Sequence, residues 1–159
     1  VYKRQGAKAL ANGEVTRAHY ARYLVQIGKV SNDGQAFKRY LGGGKSCFVK
    51  AEWVDIPTAI DTIHTAGGVA VIAHPIRYNM TGKWIRRLIV DFKQWGGDGM
   101  EVADSGQTKD QRQYLARLAN EYDLAASLGS DFHFPCGWIE LGKNLFLPEE
   151  VKPIWTLFE

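Results

Sequence analysis

Three side chains able to bind a metal ion stand directly behind apolar runs of strand length. His74 follows Val69–Ala73, and Asp131 and His133 follow Leu124–Leu128 within Gly129-Ser130-Asp131-Phe132-His133. In parallel α/β sheets the loops at the C-terminal strand ends converge on one mouth, so residues placed there meet. If the chain is still extended at Asp131 and His133, their side chains leave one face of the strand end and reach one metal centre. Imidazole with carboxylate suits Zn, Mn or Fe, and without a Cys-x-x-Cys pair a structural thiolate zinc site is not expected. Pro75 ends the strand just past His74. Singly, a His before Pro reads as a loop residue and Asp-x-His as a cap or surface turn. Their shared strand-end placement is what favours the metal. Glu101 is open between a site residue and a buried carboxylate paired with a basic neighbour.

The elements that must position these residues are legible from periodicity. Gly6 to Gly13 is a small-residue segment of weak helical character. Thr16 caps a helix through Ile27, with Tyr20, Leu24 and Ile27 on one stripe and Gly28 at its stop. Asp33 is placed to cap a second short helix carrying Phe37, Tyr40 and Leu41, which Gly42-Gly43-Gly44 ends. From Lys50 the rhythm alternates. Pro57 opens a helix bearing Ala59, Ile60 and Ile63, and the strand Val69–Ala73 follows Gly67-Gly68. Thr81 caps a helix with Trp84, Ile85, Leu88, Ile89, Phe92 and Trp95 spaced three and four apart. Met100–Ala103 is the next strand, and Thr108 to Gln111 has capping-box spacing for a helix burying Tyr114, Leu115, Leu118, Ala119 and Tyr122. After the strand Leu124–Leu128 come a Pro-, Gly- and Trp-rich loop, a last strand at Asn144–Leu147 and a short helix near Glu149–Leu157. The order is that of an α/β protein with a parallel sheet. Three strands are too few for a complete barrel, so the chain reads as the C-terminal part of something larger.

The 159 residues, 45% hydrophobic and 23% charged, fit a soluble globular domain or a piece of one. No apolar run is long enough to span a bilayer, so no membrane partner is expected. Cys47 and Cys136 read as free thiols of a reducing compartment, which makes the cytoplasm the expected location. The chain opens without Met, and Val1-Tyr2-Lys3-Arg4-Gln5 translates GTGTATAAGAGACAG, the end of a transposon-based sequencing adapter. Residues 1–5 are therefore expected to be read-through from library preparation, with the protein beginning further upstream. Lys and Arg total 20 against 17 Asp and Glu, for a net charge of +3; without Lys3 and Arg4 the balance is 18 against 17. Net charge then gives almost no support to nucleic-acid binding.

Ala-His-Pro after an apolar strand, Met-Glu-Val on the next and Gly-Ser-Asp-Phe-His after a later one resemble the C-terminal motifs of the PHP (polymerase and histidinol phosphatase) family of metal-dependent phosphoesterases. Thr16-Arg17-Ala18-His19, Gly67 through Pro75 with Arg77-Tyr78, and Ser130 through His133 followed by Pro135, Trp138 and Glu140-Leu141-Gly142 resemble its TrpH/YciV group, the ribonuclease AM type. That group comprises 5′→3′ exoribonucleases that also act as nucleoside 3′,5′-bisphosphate phosphatases. The resemblance covers essentially everything after Gln5.

The resemblance implies a distorted (β/α)7 barrel, with residues 50–159 its C-terminal part and residues 6–49 a helical subdomain inserted before it. It implies a trinuclear centre of divalent ions, Mn with Zn or Fe as alternatives, with His74 on one metal, Asp131 on a second and His133 on a third. Those three would also carry the catalysis, through metal-activated water. The remaining ligands belong to N-terminal His-x-His motifs not present here, so this chain alone is expected to be inactive. His19 and His64 fall within predicted helices and do not replace them. The implied substrates are nucleoside bisphosphates or 5′-phosphorylated RNA. Arg17 and His19, then Arg77, are the candidates for the 5′-phosphate, and Tyr78 or an aromatic of the helical subdomain for stacking on a base. The competing readings are a non-catalytic PHP-like module binding RNA or a partner, and another PHP phosphatase such as histidinol phosphatase.

Overall fold

The computed structural model describes residues 2–133, 137 and 140–158. Cys136, Pro135 and Trp138, singled out above, lie outside the described residues. The chain divides into two compact units, Val1–Trp53 and Val54–Glu159.

The first unit is helical. α1 (Tyr2–Ala9) is a helix where the small residues promise only weak helicity. α2 (Arg17–Gln26) begins after Thr16, as its sequence requires. α3 (Asp33–Ala36) continues into a π-helical turn, Phe37–Leu41. Its cap is Asn32 and not Asp33: the Asn32 side chain accepts from the Gln35 amide at 2.9 Å. Asp33 instead occupies the first turn, where a carboxylate complements the helix dipole. Ala21, Val30, Ala36 and Leu41 form a small core, covered by Tyr20, Leu24, Val25, Phe37 and Tyr40.

The second unit holds the sheet. Asp55 caps α4 (Ile56–Thr65) by accepting from the Thr58 amide at 2.9 Å, with Pro57 in the first turn. Next come β1 (Val71–Ile72), α5 (Gly82–Gln94), β2 (Gly99–Asp104), α6 (Lys109–Glu121) and β3 (Ala125–Gly129). The strands are parallel in the order β1-β2-β3, so two successive strand–helix–strand crossovers build the layer. All six residues of β2 are buried, as befits a central strand covered on both faces. Ile60, Ile89, Met100, Leu115 and Leu118 are among the largest fully buried side chains, each worth roughly 1.5–3 kcal/mol of apolar burial. Gly99 is required by crowding: a Cβ there would stand 2.6 Å from Ile154 Cδ1 and 2.7 Å from the Ala125 carbonyl oxygen.

Four further expectations are corrected. Regular pairing of the first strand covers Val71–Ile72 and not Val69–Ala73. Its entry is held by Asp98, whose carboxylate accepts the Ala70 amide at 2.7 Å, and its exit turns away at His74. Trp84 and Trp95 of α5 are exposed, while Ile85, Ile89 and Phe92 form the buried stripe. Residues 144–147 are not a strand: Phe146 stacks on the Arg112 guanidinium at 3.8 Å and the Asn144 carbonyl accepts from Arg112 at 3.1 Å. A side chain, not a ladder, holds that segment. The C-terminal helix is a short 3-10 segment, Ile154–Leu157, and Pro153 before it forms an isolated bridge to Ala126. No helix among the described residues is long and apolar enough to cross a membrane.

Candidate functional site

The strand-end residues of the second unit come together through a web of hydrogen bonds. His74 leaves β1 in the left-handed region (φ 35, ψ 53), and a 3-10 turn, Pro75–Arg77, follows at once. The Glu101 carboxylate on β2 accepts the His74 amide at 2.7 Å, tying the two strand ends together. Arg77 reaches across the mouth. Its Nη2 donates to Asp104 Oδ2 at 3.0 Å and its Nη1 to Asp131 Oδ2. Asp131, past β3, is also left-handed at φ 54. Non-glycine residues adopt this region at a cost, and such positions cluster at functional sites.

The two expected imidazoles are presented differently. His133 is exposed, and its Nδ1 lies 2.8 Å from the Asp131 carbonyl oxygen. A carbonyl only accepts, so Nδ1 carries the proton and the lone pair of the neutral ring is on Nε2. His74 is half-buried against Tyr78, edge to face at 5.9 Å, and its Nδ1 is buried with no hydrogen-bond partner. Tyr78 is itself fixed by donating its hydroxyl to the Ala73 carbonyl at 2.8 Å.

The charges are tuned by burial and by each other. Burial pushes the Glu101 carboxyl above the ordinary carboxylate range; the His74 amide works against this, and the Asp104 charge adds to it. Tyr78 is also raised, by burial and then by Glu101. For Arg77 burial opposes the charged form, but Asp131 and Asp104 outweigh it and hold the guanidinium more firmly protonated than usual.

Asp104 was not foreseen. It directly follows the expected strand Met100–Ala103, so the strand-end rule that picked out His74 and Asp131 would have found it. Its phase was beyond sequence reach. Glu101 pairs with Ser127 but Ala103 with Leu128, so β2 bulges between them. Strict alternation would send Glu101 and Asp104 to opposite faces; a bulge re-aims one of them. As folded, both charges act on the same Arg77. Arg112, another unforeseen residue, is buried on α6 and donates to the Asp104 carbonyl at 3.3 Å as well as to Asn144.

Imidazole nitrogens and hard carboxylate oxygens are a donor set suited to divalent cations, and the unpartnered His74 Nδ1 fits a ligand position. Among the described residues, however, no three His, Cys, Asp or Glu side chains already form a cage for an ion. A complete ligand set is therefore not assembled among the described residues.

Of the other candidates, Arg17 and His19 lie in the first unit. His19 Nδ1 accepts the Thr16 amide at 3.0 Å and lies 2.9 Å from the Thr16 hydroxyl, so it completes the cap of α2. Arg17 lines a cavity of about 960 Å³ together with Tyr20, Tyr23, Tyr40, Phe48 and Trp53. His64 lies at the end of α4 and pairs with Asp98 at 2.8 Å, away from any strand C-terminus.

No family model matches the chain. It is 81% identical to a 5′-3′ exoribonuclease of Haemophilus influenzae over 153 residues, which is 96% of this chain and 56% of that protein. The chain has 5′-3′ exoribonucleases among its homologues. To the 5′-3′ exoribonuclease Rnm of Escherichia coli it is 51% identical, covering 98% of this chain and 53% of the other. A 3′,5′-nucleoside bisphosphate phosphatase of Chromobacterium violaceum is 42% identical over 91% of this chain and 51% of its own length. Among solved structures, an amidohydrolase from Chromobacterium violaceum with bound sulfate and no metal superposes with a TM-score of 0.82 at 40% identity, over 96% of this chain and 54% of that one. A Bifidobacterium adolescentis protein described as a metal-dependent phosphoesterase gives 0.68 at 26% identity, over 96% and 53%. The chain spans about half the length of the curated relatives it matches. These relatives are hydrolases, and the fold is shared with metal-dependent phosphoesterases.

Proposed function

We propose that this chain is the C-terminal part of a PHP-type metal-dependent phosphoesterase. The intact enzyme would hydrolyse the 3′-phosphate bond of nucleoside 3′,5′-bisphosphates and remove nucleotides 5′→3′ from 5′-phosphorylated RNA. The carrying observation is the convergence of His74, Arg77, Glu101, Asp104 and Asp131 at three parallel strand ends, in a chain whose relatives bear those two activities. Both reactions break a bond at the same 3′ oxygen, so one site serves both. In this reading the described strands belong to a distorted (β/α)7 barrel, and residues 6–49 form an inserted helical subdomain.

His74, Asp131 and His133 are the metal ligands in this proposal, with the rest of a trinuclear set supplied from upstream. Bound divalent ions, Mn in our reading, would supply Lewis-acid activation of water and neutralise charge on phosphoryl oxygens. The protein's part is orientation. The Asp131 carbonyl fixes the His133 tautomer so that Nε2 faces outward as a base or ligand. Glu101 fixes the backbone at His74. Arg77 offers a planar fork of donors suited to a phosphoryl oxygen. Arg17, at the edge of an aromatic-lined cavity, is the proposed 5′-phosphate contact, with a neighbouring tyrosine to stack on the base.

The test uses the intact protein on adenosine 3′,5′-bisphosphate. Phosphate release with Mn²⁺ that stops with chelator is expected, and its absence would end the proposal. Arg17→Ala is expected to erase the preference for 5′-phosphorylated over 5′-hydroxyl RNA. Unchanged discrimination would remove Arg17 from the site.

A further inference from the structure

One buried charge has no task in the reading above. Asp104 ends β2 with only 2% of its side chain exposed. An ionised carboxylate is stable at such a place only when paired and fully hydrogen-bonded. Both oxygens are engaged: Oδ1 accepts the Gly106 amide at 2.6 Å and Oδ2 accepts Arg77 Nη2 at 3.0 Å. The Asp104 amide is held in turn by Gln107 Oε1 at 3.1 Å, and its carbonyl by Arg112. The carboxylate is thus a rigid point of the scaffold. Arg77, by contrast, keeps 40% of its side chain exposed and rests its other arm on Asp131.

We propose that Asp104 is a positioning residue for phosphate recognition: it tethers one arm of the Arg77 guanidinium so that the other arm is held at the strand-end mouth for a phosphoryl oxygen. The inference rests on the phosphoesterase reading and adds a residue to it. Asp131 cannot do this alone. It stands at the mouth as a proposed cation ligand, and a cation drawn to it competes with Arg77 for the same oxygens. Asp104 holds the guanidinium in either case. An Asn would still accept the Gly106 amide, but it would present no charge to Arg77 and could turn a donor toward it. A Lys in place of Arg77 keeps the charge but loses the fork that spans Asp104 and Asp131.

The experiment uses the intact protein carrying Asp104→Asn, Arg77→Ala, both together, and Arg77→Lys. Binding of inorganic phosphate to chelator-stripped protein is measured by calorimetry, melting temperature is recorded alongside, and kcat and KM are measured on adenosine 3′,5′-bisphosphate with Mn²⁺. Asp104→Asn is expected to weaken phosphate binding about tenfold, the scale of one charge-assisted hydrogen bond. KM should rise more than kcat falls. In the Arg77→Ala background the same substitution should change the phosphate Kd less than about twofold, because the group it acts through is gone. Arg77→Lys should match the loss seen in Asp104→Asn, which keeps the test open should the Asn variant fold poorly. Equal losses with and without Arg77, or wild-type phosphate affinity in Asp104→Asn or Arg77→Lys, overturn the proposal. A wild-type protein that binds phosphate but hydrolyses nothing refutes the phosphoesterase reading, while a phosphate-binding loss in Asp104→Asn that vanishes in the Arg77→Ala background would still support the tether.

Discussion

His74→Gly should make the protein more stable and remove its proposed activity. His74 is held at φ 35, ψ 53, where a side chain costs about 1–2 kcal/mol. Its Nδ1 is buried without a partner, which costs about 1–3 kcal/mol more. Against these stands the edge-to-face contact with Tyr78 at 5.9 Å, worth about 0.5–1.5 kcal/mol. Glycine removes both costs, gives up the ring contact and adds about 0.5–1 kcal/mol of backbone entropy. The balance favours the glycine variant by about 1–2 kcal/mol, a rise in melting midpoint on the order of 2–8 °C for a chain of this size. His74→Ala keeps the backbone strain and should fall between the two proteins. Thermal and urea unfolding in excess chelator is the assay, since a bound ion would stabilise only the wild type. Phosphate release by the intact glycine variant should fall by about 100-fold or more, on the scale of losing a ligand or its support. A glycine variant that melts below the wild type, or that retains activity, would refute the reasoning that function maintains the strain.

Arg112 tests whether a buried guanidinium contributes shape or charge. Arg112→Ala removes the stack on Phe146 and two hydrogen bonds, leaving the Asn144 carbonyl unpaired while the Asp104 carbonyl keeps the Gln107 amide at 3.3 Å, for an expected loss of about 2–4 kcal/mol. Arg112→Met keeps much of the volume and removes the desolvation cost that lowers the affinity of this Arg for its proton, so it should cost less than about 1.5 kcal/mol. Urea midpoints that rank Met with Ala would contradict this. On the helices, Arg86 of α5 holds the Glu121 carboxyl of α6 below its ordinary value. The unfolded chain then binds this proton more readily, so the pair's stabilisation is present above the ordinary carboxylate pKa and is lost as pH falls through the lowered folded one. Urea titrations of wild type and Glu121→Gln should differ at neutral pH and converge in acid; a gap that widens toward low pH would reverse the assignment.

What was legible in the sequence is what local rules decide. The capping box at Thr108 and Gln111 forms because both partners lie within one turn, with the Thr108 hydroxyl accepting from the Gln111 amide at 3.2 Å. Helices α4, α5 and α6 follow their apolar spacing, and β2 and β3 their apolar runs. The strand-end rule placed His74 and Asp131 on one mouth, where Arg77 now joins Asp131 directly. The rest depends on partners distant in the chain. The bulge in β2 is set by its pairing with β3, so the facing of Asp104 could not be read from alternation along β2. Leu145-Phe146-Leu147 looks like a strand because it is apolar, yet Arg112 from another element claims the Phe146 ring.

The bridge between Ala126 and Pro153 also gives the sheet a direction of growth. Beyond β3 the neighbouring segment carries a proline, which has no N–H to offer, and the chain turns into a 3-10 segment one residue later. A proline there gives an incoming strand one backbone donor fewer to pair with. The outer border of β1 has no neighbour among the described residues. A parallel strand that joined the sheet at β1 would bring its own C-terminal end beside His74. Completion of the sheet and completion of the ligand set would then be one event.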